Sequence, residues 1–193
     1  TAIGKIETEI DATNDGSEAS PISRNRYVGL KGKFGTAIAG VMDTPMKDIG
    51  RAVEFFPEYV GDARNITRQN ATYSGQTSLG WDERARSAIR YTTPSFNWFA
   101  VSYLYSADFQ SSNTLEDNRR RADSLSLVYT GGPLFVGLAI ESHKNPGNVV
   151  TTAAGSNESE KATRLTASYN FGAFKVAGLW QDVKDLGGKA ATD

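Results

Sequence analysis

Arg24-Asn25-Arg26-Tyr27-Val28-Gly29-Leu30-Lys31-Gly32-Lys33-Phe34-Gly35, continued by Thr36 to Asp43, is the stretch that decides how this chain folds. Tyr27, Gly29, Lys31 and Lys33 alternate with Val28, Leu30 and Phe34, and Gly32 to Gly35 turns the chain. The return run then sets Ile38, Gly40 and Met42 on one face. Alternation with period two marks a strand, and two such runs about a glycine turn mark a β-hairpin.

Outward from this hairpin the same grammar repeats. Arg84 to Tyr91 and Phe99 to Tyr105 join through Thr92-Thr93-Pro94-Ser95-Phe96-Asn97-Trp98. Ser124 to Tyr129 and Leu134 to Ile140 join through Thr130-Gly131-Gly132-Pro133, and Arg164 to Tyr169 and Phe174 to Gln181 through Asn170-Phe171-Gly172-Ala173. With Ile3 to Ile10 these make nine strands, and 182–193 reads as loop. Tight turns alternate with long polar loops. One face of each later pair is apolar (Val101, Tyr103; Leu125, Leu127; Leu138, Ile140), whereas the other is polar or small (Arg86, Ala88, Arg90; Ser124, Ser126; Arg164, Thr166, Ser168). Aromatic residues gather beside the tight turns: Phe34, Tyr91, Phe96, Trp98, Phe99, Tyr129, Phe171 and Phe174. A strand of about ten residues, tilted by about 45°, rises about 23 Å, which matches the apolar band of an outer membrane.

Composition permits this reading. The chain has 193 residues, 39% of them hydrophobic, with a mean hydropathy of -0.42. No run of about 18 apolar residues exists, so transmembrane helices are excluded, but a barrel averages lipid-facing and lumen-facing residues to a polar composition. A soluble β-sandwich shows the same alternation turned inside out. The alternation of loop lengths and the arginine-bearing face favour the barrel. The 21 basic and 22 acidic residues, net charge -1, give no field for nucleic acid. Cysteine is absent and His143 is the one histidine, which excludes disulfides and thiolate chemistry and leaves little for a metal or general base. Thr1-Ala2-Ile3-Gly4-Lys5 lacks the basic and apolar regions of a signal peptide, so either the signal has been removed or the N-terminus is incomplete.

The hairpin 24–35, then Asp43-Thr44-Pro45, then Arg86-Ser87-Ala88-Ile89-Arg90-Tyr91-Thr92-Thr93-Pro94-Ser95-Phe96, resemble in order and spacing the Gram-negative general porin family across about residues 1 to 110. That resemblance implies an all-β, antiparallel transmembrane β-barrel, sixteen-stranded when complete and usually a homotrimer, with a long loop folded into the lumen. On this comparison the chain is a single barrel domain over 1–193, incomplete at both ends and covering about nine or ten strands, with 44–83 as the constriction loop. The implied partners are outer-membrane lipid and lipopolysaccharide and small hydrophilic solutes and ions. No cofactor is expected.

A diffusion pore needs no catalytic group; it needs a waist whose charges choose which ions pass. Arg86 and Arg90 fall two positions from Ala88, on the lumen phase of their strand, and Lys31 on that phase of another. Arginine stays charged at every working pH. Glu54, Glu58 and Asp62 would face these cations from the loop, which also carries Lys47, and Asp43 would anchor the loop base. Members of the family often place an arginine two residues before this aspartate; Val41 stands there, so anion selectivity does not carry over.

Other readings find less support. His143, with no Gly-x-Ser-x-Gly elbow anywhere, makes an outer-membrane enzyme the weaker reading. Glu158 with Glu160, and Asp82 with Glu83, read as solvated loop carboxylates or, if oxygens converge, calcium ligands. Gly29, Gly32 and Gly35 lack the Lys-Ser/Thr of a phosphate loop, and the sequons at Asn65, Asn70 and Asn157 are accidental in a porin. A surface-binding, adhesion or phage-receptor barrel is the runner-up.

Overall fold

The hairpins unite into one antiparallel sheet in the computed structural model, which describes residues 1–9, 22–57, 59–69, 72–73, 76–77, 79–109, 120–144, 146 and 159–188. In chain order the elements are β1 (Ala2–Glu9), β2 (Ile22–Gly32), β3 (Gly35–Asp43), α1 (Pro45–Arg51), α2 (Arg64–Thr67), the short strands β4 (Thr72–Tyr73) and β5 (Gln76–Thr77), then β6 (Arg84–Thr92), β7 (Phe99–Ser106), β8 (Arg121–Gly131), β9 (Leu134–Lys144), β10 (Ser159–Asn170) and β11 (Lys175–Lys184). Nine strands pair in the order β1-β2-β3-β6-β7-β8-β9-β10-β11, and β4 with β5 forms a separate two-stranded ribbon. Every neighbour in the large sheet is antiparallel and next in sequence apart from the ribbon, so this is an up-and-down meander.

Tight turns set the registers. Gly32 pairs with Gly35 about a two-residue loop, and Gly35 has φ 110. A Cβ at Gly35 would lie 2.3 Å from the Thr92 carbonyl oxygen, so only glycine suits both the dihedral and the closeness of β6. Asn170 Oδ1 accepts from the Gly172 amide at 2.9 Å and shapes the β10–β11 turn.

Registers also fix the faces. Arg90, Leu104, Ser124, Glu141 and Ala162 are successive cross-strand partners, and so are Ala88, Ser106, Ala122, His143 and Glu160. These rows are largely buried, whereas Leu125, Leu127, Leu138, Ile140, Leu165 and Trp180 on the opposite face are exposed. Polar and small residues thus point inward and apolar ones outward. At the turn end of the outer face aromatic rings pack on one another, Phe99 on Tyr129 at 5.0 Å and Phe171 between Tyr169 and Phe174 at 4.5 and 4.7 Å. Such amphipathic rings prefer the membrane interface.

One face gains a direction and two expectations change. β3 turns Ile38, Gly40 and Met42 inward, where Met42 joins Leu79, Leu104 and Phe109 in an apolar cluster. The 44–83 segment carries two helices and a ribbon. β11 continues to Lys184 and is followed by a 3-10 turn at Leu186–Gly188, so the strand runs past the point where loop was expected.

Candidate functional site

The segment leaving β3 lies across the inner face. Thr44 caps α1, its hydroxyl accepting from the Lys47 amide at 3.2 Å, and Pro45 occupies the first helical position, where its missing N–H costs nothing. α1 is about 10 Å long. Even so, it bonds to β6 through Arg90 and Asp48 (2.5 Å), to β8 through the Met46 amide and Ser124 (3.3 Å) and to β10 through Arg164 and the Met46 carbonyl (3.2 Å). Lys175 of β11 reaches the Ala52 carbonyl at 3.3 Å. A flat sheet would set β6 and β11 about 24 Å apart, so the sheet curls around the helix. Gly137 makes room for it: a Cβ there would meet Ile49 at 2.9 Å.

Two ion-pair systems hold the segment. At its start Asp43 binds Lys47 Nζ at 2.8 Å, accepts from Asn25 at 3.2 Å and stands 3.5 Å from Arg84. Burial holds the Lys47 ammonium below the ordinary lysine range, with Asp43 working against the shift. At the segment's end Asp82 receives both arms of the Arg164 guanidinium, at 2.7 and 2.8 Å, and the Thr67 hydroxyl at 2.9 Å. Arg164 also donates to Gln181, whose amide donates to the Thr67 carbonyl at 2.8 Å. Arg164 is fully buried, and a bidentate partner plus further acceptors is what a buried guanidinium requires.

Beside this pin Trp81 stacks on His143 with ring centres 4.4 Å apart, and Phe109 covers the imidazole at 4.6 Å. His143 lies between Glu160 on Nδ1 (2.8 Å) and Glu141 on Nε2 (3.0 Å), all three fully buried. Glu160 also accepts from the Leu79 and Gly187 amides. The segment therefore re-enters the wall over an aromatic seat in which one imidazole bridges two buried carboxylates.

Between these anchors a cleft of ≈ 310 Å³ opens, lined by Arg24, Lys47, Arg64, Arg68 and Arg84 against Asp62, Asp82 and Glu83. Cations outnumber carboxylates.

The expected site residues separate on this geometry. Lys31 and Arg90 face inward, as the alternation required, since Lys31 pairs with Thr36 and Thr36 with Thr92, one rung from Arg90. Asp43 anchors the segment base and Lys47 meets it there. Glu54 and Asp62 are used by the segment itself: Glu54 accepts from the Phe56 and Ala63 amides, and Asp62 is held by Arg64 at 2.6 Å. Glu58 lies outside the described residues, as does Glu158. Arg86 is displaced from the expected phase. The register slips between Gly40 and Met42, Ser87 has φ 44, and Arg86 and Ser87 both stand opposite Val41, away from Ala88 and Arg90. A β-bulge inserts one residue and resets the alternation, which composition does not announce. Glu160 and Asp82 are likewise corrected, being buried ion partners rather than solvated loop acids. Alternation puts Arg164 on the polar face without giving it a role, and only the return of Asp82 over β10 supplies one.

A family model described as Gram-negative porin matches residues 2–193. The chain belongs to that family. Its place is therefore the outer membrane, and its sheet is a stretch of porin β-barrel. Outer membrane porin protein 32 of Delftia acidovorans is 28% identical over 197 residues, which span 97% of this porin chain and 52% of that protein. Among solved structures, an anion-selective porin from Comamonas acidovorans matches with a TM-score of 0.73 at 24% identity over 95% of this chain and 53% of that one. A loop L8 deletion mutant of OmpT from Vibrio cholerae matches with a TM-score of 0.62 at 18% identity over 94% and 55%. These structural likenesses establish the fold. The porin chain spans about half the length of the relatives it matches.

Proposed function

We propose that the barrel containing this chain is a passive diffusion channel for small hydrophilic solutes and ions across the outer membrane, with the 44–83 segment as its constriction. The observation that carries the reading is the path of that segment: it crosses the inner face and is fastened at both ends, by Asp43 to Lys47 and by Asp82 to Arg164. A segment so held narrows a water-filled barrel without closing it. Relatives that are porins support a channel over an enzyme.

The basic excess at the cleft, with Arg90 and Lys31 on the same wall, favours anions over cations at the waist. One neighbour in fold carries the description anion-selective, in keeping with this preference. Arg84 and Arg24 line the cleft, each beside a carboxylate, Asp43 and Glu7 respectively. The outer face, apolar over several strands, suits lipid on most of its area and a second copy on the rest, consistent with a homotrimer.

Planar-bilayer recording of the full-length protein under a salt gradient tests the reading. The expected zero-current potential has the sign of anion preference, and Arg90→Glu moves it toward cation preference. Arg86→Glu, on the other face, leaves it in place. An equal shift from both substitutions, or from neither, contradicts the proposed waist.

A further inference from the structure

His143 is fully buried with a carboxylate on each ring nitrogen, Glu160 at 2.8 Å from Nδ1 and Glu141 at 3.0 Å from Nε2, and both glutamates are fully buried too. A neutral imidazole has one N–H and one lone pair. It can donate to one of these carboxylates, and it then turns its lone pair toward the ionised oxygen of the other. The two short contacts coexist only when the triad holds one proton more than a neutral imidazole and two carboxylates. The imidazolium, which donates from both nitrogens, supplies it.

Charges elsewhere do not replace that proton. On β10 the next charged residue of the inner face is Arg164, whose guanidinium Asp82 already takes. β8 sets Ala122 and Ser124 opposite His143 and Glu141, and the 3-10 turn offers the Gly187 amide to Glu160. Arg120, just before β8, attracts Glu160 but is drawn to Asp108 as well. Without the proton two buried carboxylates face this one cation, and an uncompensated buried charge is costly.

The triad is also where the 44–83 segment returns to the wall. Trp81 lies flat on the imidazole, with 13° between the rings and no exposed surface, and Glu160 accepts from the Leu79 amide at 3.1 Å. A cation against an aromatic face is attracted to it, so protonation strengthens the stack. Glu141 Oε2 and the Trp81 indole N–H are buried without a hydrogen-bond partner among the described residues. Glu141 is thus kept in place through its bond to His143.

We propose that His143 is a positioning residue of the 44–83 segment: the proton it shares with Glu141 and Glu160 locks residues 79–81 to the wall, and loss of that proton in alkaline solution frees this end of the segment. Asp82 and Arg164 then hold the end by themselves, and its motion modulates the waist. The effect on conductance rests on the reading of the segment as a constriction; the lock does not.

The test takes full-length protein from about pH 6 to about pH 10, across the range in which imidazoles titrate in proteins. Deuterium exchange of the Leu79 and Trp81 amides, corrected for the intrinsic pH dependence of exchange, is expected to lose at least about tenfold in protection along a one-proton curve, as for loss of one charge-assisted hydrogen bond. Single-channel recordings pass over the same interval from quiet openings to openings that flicker among sublevels. Glu141→Gln puts an amide donor where the carboxylate stood, so a neutral imidazole satisfies both neighbours, and this variant stays protected and quiet throughout. His143→Gln offers a donor to one carboxylate and a carbonyl to the other, and it is unprotected and flickering at both extremes. A wild type without the pH step, a Glu141→Gln variant that keeps the step, or a His143→Gln variant as protected as wild type at low pH overturns the proposal. Exchange that behaves as expected in a protein that conducts no ions supports the lock and removes the channel.

Discussion

Arg164 shows at the scale of a residue how far alternation reads and where it stops. Period two puts it on the inner face beside Thr166 and Ser168, and the structure agrees. Its partner Asp82 is 82 positions away, and no local pattern links the two. Removing the cation alone leaves a buried carboxylate unpaired, so Arg164→Met is expected to cost about 3–5 kcal/mol. Thermal or denaturant unfolding of the full-length protein in micelles reads this loss, and the double change Arg164→Met with Asp82→Leu should recover most of it. A double variant as weak as the single one would show that the pair's charge, and not its burial, matters. Arg86 teaches the reverse lesson. Counting residues from Ala88 fails across a bulge, because Arg86 and Ser87 share a single partner position at Val41.

Among the elements, the nine strands were legible in number and in their middles, since each must present apolar side chains to one medium and polar ones to another, but not at their loop ends, where β9 runs on to Lys144 and β10 already begins at Ser159. The 44–83 segment was legible only by position and length. Its two helices obey short-range rules: Thr44 before Pro45 is a recognisable start for α1, and Thr44→Ala is expected to cost about 1 kcal/mol through the lost cap. The same unfolding assay measures it. Where α1 lies depends on what faces it, and that is tertiary information held in Gly137. Gly137→Leu places side-chain atoms where Ile49 now stands, so α1 must shift into the lumen. Reduced single-channel conductance with an unchanged barrel circular-dichroism spectrum is the expected result; conductance equal to wild type would mean that α1 does not rest on that wall in the membrane.

At the scale of the whole molecule the decisive property is inversion. A soluble sandwich and a porin share their alternation, and only the location of the arginines, glutamates and histidine distinguishes them. Here Arg164, Glu141, His143 and Glu160 are buried on the inner side, while Leu125, Leu165 and Trp180 are exposed. The hairpin at 24–35 pointed to the family; the seat of Trp81 on His143 was invisible, because it joins the end of one long segment to a wall residue far along the chain. The proposed channel depends on the 44–83 segment narrowing an open pore. The most direct measurement is the single-channel conductance of the full-length protein with and without residues 53–79, the ends of the segment and both anchors being kept. Stepwise, ohmic openings that grow severalfold on deletion are predicted; a protein that conducts no ions, or one whose conductance is indifferent to the deletion, would contradict it.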